Sequence, residues 1–232
     1  SDDERRETRT FEAFVRGVRE VFPRAILQWE DFHKDRAFLL QQRYAKRLPS
    51  FNDDIQGTAS VALGGILAAL RITKQKMAEQ RIVFVGAGAA CTGIARLCAI
   101  AMREGGADEA TVRRALFALD SQGLLHDGRT IDEPHKHELA LPRAVMREYN
   151  LDPKETLTPL EVIRAVKPTI LIGATARAGT FTREMLESMA RGVEQPNVLP
   201  LSNPTSKAEC TAEEAIRWTG GKAIVDTGSP FD

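Results

Sequence analysis

From Arg81 onward, short apolar runs of strand length alternate with amphipathic segments of helix length, and this alternation constrains the fold more than any other feature of the chain. Ile82-Val83-Phe84-Val85 has no polar position, which marks a strand buried on both faces. Ala115-Leu116-Phe117-Ala118-Leu119, Thr169-Ile170-Leu171-Ile172, Asn197-Val198-Leu199-Pro200-Leu201 and Ala223-Ile224-Val225 repeat the pattern. Residues 89–103, 141–149 and 182–189 read as helices between them. Thr158 precedes Pro159 as the N-cap of another, and Thr211-Ala212-Glu213-Glu214 is a near capping box. Strands separated by helices build a mainly parallel sheet with helices on both faces, so the fold class is α/β, doubly wound.

Upstream the pattern differs. Phe11, Phe14, Val15, Val18, Val21 and Phe22 recur at helical spacing over residues 10–22, and Pro23 stops that helix. Ala25-Ile26-Leu27-Gln28-Trp29 has strand length. Residues 32–47 read as a helix carrying Phe38, Leu39 and Tyr44, ended by Pro49. Residues 58–70 are apolar almost all round, which predicts a buried helix whose Gly64 and Gly65 allow close backbone approach. The expected division is an N-terminal helical segment, residues 1–75, and a sheet domain, residues 76–232.

The 232 residues suffice for one large domain, or for one domain plus a small appendage. Lys+Arg and Asp+Glu balance at 32 each, which argues against nucleic acid or an anionic membrane as partner. Cys91, Cys98 and Cys210 lack metal-ligand spacing and read as reduced, buried thiols of a cytoplasmic protein. No apolar run reaches the roughly 18 residues of a membrane span, and no signal-peptide plan is visible. The charged start, Asp2-Asp3-Glu4-Arg5-Arg6-Glu7, reads as solvated. Ser1 and Asp232 read as cut ends of a longer protein.

Gly86-Ala87-Gly88 follows a strand and opens a helix, the context of a Rossmann-type dinucleotide turn. The first glycine permits the tight turn. The second lets a pyrophosphate approach the backbone, and Ala89 and Ala90 supply helix N-terminal amides. Cys91 occupies the third glycine position. A purely structural glycine turn is the competing reading. Asp120 closes the next strand and is a candidate for the adenine ribose hydroxyls, or else an ordinary turn residue. Arg113, Arg129 and Lys136 are candidates for a 2′-phosphate, so the pattern leans to NAD and leaves NADP open.

Two acidic pairs sit at the ends of apolar segments: Glu30-Asp31 after Trp29, and Asp53-Asp54 after Phe51-Asn52. Glu30, Asp31 and Asp54 offer hard oxygen ligands to Mg²⁺ or Mn²⁺. Helix capping by Asp31 and by Asp53 or Asp54 is the alternative, and it explains one carboxylate per helix rather than two. The histidines His33, His126, His135 and His137 show no catalytic partner, and His135-x-His137 reads as a solvated loop. Trp29 and Trp218 read as core or interface. Ser202 and Ser229 lack a nucleophile-elbow context.

Taken in order, Gln28-Trp29-Glu30-Asp31-Phe32, Phe51-Asn52-Asp53-Asp54-Ile55-Gln56-Gly57-Thr58-Ala59, Gly86-Ala87-Gly88, Leu201-Ser202-Asn203-Pro204-Thr205 and Thr227-Gly228-Ser229-Pro230-Phe231 resemble the C-terminal, cofactor-binding part of malic enzymes. The resemblance runs over residues 11–231. It implies oxidative decarboxylation of malate to pyruvate and CO₂ in the parent protein, with NAD or NADP and Mg²⁺ or Mn²⁺. In the first stage the hydroxyl of malate loses a proton to a base and a hydride to the nicotinamide. The resulting keto acid then loses CO₂, and an acid protonates the enol. It further implies Glu30, Asp31 and Asp54 as metal ligands, Asp53 as a catalytic-site acid that tunes a lysine, Gly86 to Ala90 at the pyrophosphate, and Asn203 at substrate and nicotinamide. A homodimer or homotetramer is also implied. Malolactic enzymes share these motifs. The family's catalytic Tyr and Lys, and a substrate-binding arginine, belong to an N-terminal domain not represented in these residues, so the segment alone is expected to bind without turnover. Three departures stand out: Ala89 for Glu, Asp226 for Ala, and the unusual stretch 173–179.

Overall fold

The computed structural model describes residues 2–231, without the side chains of residues 2–5, 7, 34 and 35. It divides into two compact units, Ser1–Asp54 and Ile55–Asp232. The expected boundary at residue 75 thus moves to 54, because the helix that follows belongs to the core of the second unit.

In the first unit, α1 (Asp2–Val21) is followed by β1 (Leu27–Trp29), α2 (Lys34–Tyr44) and β2 (Ser50–Asn52). β1 and β2 pair in parallel, Gln28 opposite Phe51. The helix expected over residues 10–22 extends back through the charged start. Of the side chains Asp2 to Glu7, only exposed Arg6 is described. Val15, Trp29, Leu40, Tyr44 and Leu48 form the core, with Trp29 stacked on Tyr44 at 5.4 Å between ring centroids.

A π-helical turn, Asp53–Gly57, leads into α3 (Thr58–Thr73). The strands of the second unit are β3 (Ile82–Val85), β4 (Leu116–Asp120), β5 (Gly123–Leu124), β6 (Ile170–Gly173), β7 (Asn197–Pro200) and β8 (Ile224–Val225). Their spatial order is β5-β4-β3-β6-β7-β8, parallel except for the short edge strand β5. Helices α4 (Ala89–Glu104), α5 (Glu109–Ala115), α6 (Arg143–Glu148), α7 (Pro159–Val166), α8 (Arg183–Gly192) and α9 (Ala212–Trp218) connect the strands.

The period of two along β3 divides the core. Ile82 and Phe84 pack with Ile66 of α3 and Ile94, Cys98 and Met102 of α4. Val83 and Val85 face the other side, with Val162, Ile163, Leu186 and Met189 of α7 and α8. Burying such side chains contributes roughly 1.5–3 kcal/mol each. The α/β doubly wound, Rossmann-type expectation is met.

Three expectations need correction. α3 buries Ala59, Ala62, Ile66, Ala69 and Leu70, but Val61, Leu67 and Ile72 are exposed, so it is a one-sided rather than an all-round buried helix. A Cβ on Gly65 would fall 1.9 Å from Asp226 Oδ2, whereas nothing lies near one on Gly64, so only Gly65 serves close approach. The helical stretch Asp53–Thr73, 21 residues, is also long and apolar enough to cross a membrane by those two criteria alone. Gln56 and Ser60 interrupt its apolar run and hid this in the sequence.

Candidate cofactor and metal site

β3 ends where the strand order reverses toward β6, the crevice in which doubly wound sheets bind nucleotides. Gly86 there has φ 109°, and a Cβ would lie 2.8 Å from the Ala174 carbonyl oxygen, so the turn requires glycine. Gly88 differs. Its φ of −83° suits any residue, yet a Cβ would meet nothing within 4 Å. The backbone at Gly88 therefore borders open space. It is also the N-cap of α4 and makes no side-chain cap, which leaves the first-turn amides of Ala89 and Ala90 to an outside acceptor. This is a cradle of the kind a pyrophosphate fills.

Cys91 is buried at the expected third position, but the close packing is made by Gly93. A Cβ on Gly93 would stand 2.1 Å from the Ile55 carbonyl oxygen, at the start of the segment leading into α3. Burial, and then the negative charge of Glu209, push the Cys91 thiol up to about 12, so it stays protonated and unreactive. Cys98 and Cys210 are likewise buried free thiols. His135, expected in a solvated loop, is buried and places Nε2 3.2 Å from the Ala87 carbonyl oxygen. The 3₁₀ turn Pro134–Leu139 folds it back onto the glycine corner.

Asp120 closes β4, as read from the sequence, and is bound by the very cations considered for a phosphate. Arg129 Nη2 donates to its two oxygens at 2.8 and 2.7 Å, and Lys136 Nζ donates at 3.0 Å. The Gln122 amide donates a further bond at 2.9 Å. Burial raises the Asp120 pKa, but these donors outweigh it and hold the carboxyl below the usual range. Arg113 is exposed and lines a cleft of about 480 Å³ between α4, α5 and the segment Leu139 to Pro142.

Past β7, Asn203 is exposed at the carboxyl edge of the sheet. Behind it lies Glu209, which is fully buried and accepts hydrogen bonds from Thr175 and Ser202. Sequence reasoning missed this residue. Its only signal was an acid lying between the Ser-Asn-Pro-Thr motif and the N-cap Thr211.

In the first unit the acidic residues are brought together in part. Asp31 sits at φ 57°, a left-handed conformation that Asp tolerates, and its amide hydrogen-bonds the Asp54 carboxylate. Asp54 Oδ2 is buried with no hydrogen-bond partner. Burial, and then the charges of Asp31 and Asp53, raise the Asp54 pKa. An orphaned, crowded carboxylate oxygen is what a cation would relieve. Glu30, by contrast, is exposed and accepts from Gln28 Nε2 at 2.7 Å. Among the described residues no three His, Cys, Asp or Glu side chains close into a metal cluster. Asp54 is thus the acid left unsatisfied, while Asp31 is exposed beside it and Glu30 is turned to Gln28. Asp31 is not the cap of α2, which begins after His33 without a side-chain cap, and α3 begins after Gly57 without one.

Residues 55–232 match the family described as the malic enzyme NAD-binding domain. The chain is 44% identical over 218 residues to an NAD-dependent malic enzyme of Pseudomonas aeruginosa, covering 94% of this chain and 39% of that one. It is 42% identical over 207 residues to an NADP-dependent malic enzyme of Columba livia, covering 89% and 35%. Among solved structures, the malic enzyme of Entamoeba histolytica superposes with a TM-score of 0.73 at 28% identity, covering 93% of this chain and 40% of that one. The malic enzyme of Pyrococcus horikoshii gives 0.71 at 25% identity, with 94% and 47% covered. The chain therefore spans about two fifths of the length of the curated relatives it matches.

Proposed function

Because the chain belongs to the malic enzyme family, we propose that the protein containing it oxidises and decarboxylates malate to pyruvate and CO₂, with NAD bound over Gly88 and a divalent cation at Asp31 and Asp54. The observation that carries the reading is the open space at Gly88 above the uncapped start of α4, at the point of strand-order reversal. Ala89 and Ala90 donate their amides to the pyrophosphate. Asn203, exposed at the next carboxyl edge, orients substrate against the nicotinamide, which supplies the hydride acceptor. Mg²⁺ or Mn²⁺ would supply a Lewis acid for the oxygen that gains charge. Asp31 and Asp54 would hold it, with Glu30, bonded here to Gln28, as the further oxygen ligand. Asp53 lies beside Asp54 and tunes a lysine supplied from outside these residues.

NAD is favoured over NADP because Arg129 and Lys136 are already engaged by Asp120, so a 2′-phosphate would compete with a buried carboxylate for both. The named relatives include both kinds. A cytoplasmic homo-oligomer is part of the same proposal. The chain by itself binds cofactor without turnover, since the expected base and acid are not among its residues.

Calorimetric titration with NAD⁺ and NADP⁺, followed by absorbance of the reduced cofactor with malate and Mn²⁺, tests this. The expected result is saturable binding, tighter for NAD⁺, with no reduced cofactor formed by this chain alone. Asp54→Ala should abolish Mn²⁺ binding. No binding of either dinucleotide would refute the reading, and retained Mn²⁺ affinity in D54A would refute the metal assignment.

A further inference from the structure

Glu209 lies between the 3₁₀ turn Thr205–Lys207 and α9, and it is fully buried. Its side chain runs over Gly173 at the end of β6: a Cβ on Gly173 would lie 2.6 Å from Glu209 Cγ and 2.7 Å from Cδ. One carboxylate oxygen accepts from the Thr175 amide at 2.7 Å, the Thr175 hydroxyl at 2.7 Å and the Ser202 hydroxyl at 2.6 Å. The other accepts from the Ser202 amide at 3.3 Å. Among the described residues no cation forms an ion pair with it. A buried charge held only by neutral donors is costly unless every donor is in place, so the carboxylate fixes its donors tightly.

Those donors belong to two turns at the carboxyl edge. Thr175 begins the turn after β6, and Ser202 begins the turn after β7 that presents Asn203. The two strands are paired neighbours, Gly173 opposite Pro200. The Ser202 hydroxyl also accepts from the Ala176 amide at 2.8 Å, and Thr175 Oγ1 accepts from the Arg177 amide at 3.2 Å. Ala176 has φ 55°, a conformation that a non-glycine residue holds only when its surroundings impose it. β6 and β7 lie on the side of the strand reversal opposite β4, where the half of a dinucleotide away from adenine binds.

We propose that Glu209 is a positioning residue for the nicotinamide half of the cofactor site, setting the 174–177 turn and Asn203 at one fixed separation. The proposal rests on the dinucleotide reading above. It assigns the pyrophosphate and adenine no dependence on Glu209, which makes it separable from a general structural role.

The test compares NAD⁺ with ADP-ribose, which lacks the nicotinamide, on this chain and on Glu209→Gln. Gln keeps the volume and one acceptor oxygen but turns an amide NH₂, itself a donor, toward a donor. NAD⁺ affinity should fall roughly tenfold, one charge-assisted hydrogen bond's worth, while ADP-ribose affinity stays within about twofold. Parallel loss of both ligands, or no change in either, overturns the role of Glu209 while leaving the dinucleotide site intact. A wild-type chain that binds neither ligand overturns the underlying reading and the proposal together. Should E209Q fail to fold, Thr175→Val removes one donor at constant shape and is judged by the same two affinities.

Discussion

Gly88 and Gly93 sit in the same turn and helix, and a methyl group added to each meets opposite surroundings. At Gly88 it enters open space at a permitted φ, and at Gly93 it collides with the Ile55 carbonyl oxygen. Gly88→Ala should therefore leave the thermal midpoint unchanged and weaken NAD⁺ by roughly tenfold or more, since it fills the cradle. Gly93→Ala gains about 1 kcal/mol of helix propensity and loses more to overpacking, for a net destabilisation of about 1–3 kcal/mol by denaturant titration. A stable G93A, or a G88A with full affinity, would contradict these assignments. Asp226 poses a different question at the same scale. Its carboxylate lies on Gly65, and burial raises its pKa above the ordinary Asp value despite a hydrogen bond from the Thr227 amide. The folded chain thus holds this proton more tightly than the unfolded one. Ionisation costs stability as pH rises from the ordinary value through the raised one, and no cost exists below. Asp226→Asn should melt higher than wild type at neutral pH, with the difference closing toward about pH 4. An equal midpoint at neutral pH would show that the buried acid is compensated.

At the scale of elements, α1 and α2 are joined by Glu12, which accepts from Arg43 at 2.9 Å, Tyr44 at 3.2 Å and Arg47 at 2.7 Å. The Arg47 bond first, then those from Arg43 and Tyr44, lower the Glu12 pKa from 4.5 to about 2. The contribution is present in full above 4.5 and is lost as pH falls through about 2. Partly exposed ion pairs are weak, so Glu12→Gln should slightly speed amide exchange around Val15 at neutral pH and match wild type in strong acid. Faster exchange in E12Q at every pH would point to a packing role instead. The elements themselves were largely legible. β3, β6 and β7 announce themselves because strands buried on both faces need uninterrupted apolar runs, and α7 and α9 because their caps are written as Thr-x-x-Glu. β2 was not legible, since Ser50-Phe51-Asn52 is short and half polar and exists only through its pairing with β1. Glu209 was hidden for a related reason. An acid in sequence reads as solvated, and its burial depends on Gly173, Thr175 and Ser202, which only the folded sheet brings around it.

For the whole chain, the residues proposed for the two ligands belong to different units. Gly86, Gly88, Asp120, Asn203 and Glu209 all lie in Ile55–Asp232, and Asp31 and Asp54 lie in Ser1–Asp54. The glycine corner and the acidic pairs were legible in the sequence as candidates. The sequence misplaced the boundary because the apolar residues of α3 gave no hint of which core would take them. That core is the sheet's, so the second unit carries its own helix α3, both helical layers and the complete strand order. A chain of residues 55–232 should therefore unfold cooperatively and keep NAD⁺ affinity within about twofold of the longer chain. It should also show no Mn²⁺ binding, because neither Asp31 nor Asp54 remains. Saturating NAD⁺ should raise the midpoint of both chains by a similar amount, since a ligand stabilises only the fold that holds its site. If the shorter chain folds yet loses NAD⁺, then residues before 55 contribute directly to the cofactor site, and the assignment of that site to the glycine corner and the β6 and β7 turns alone is wrong.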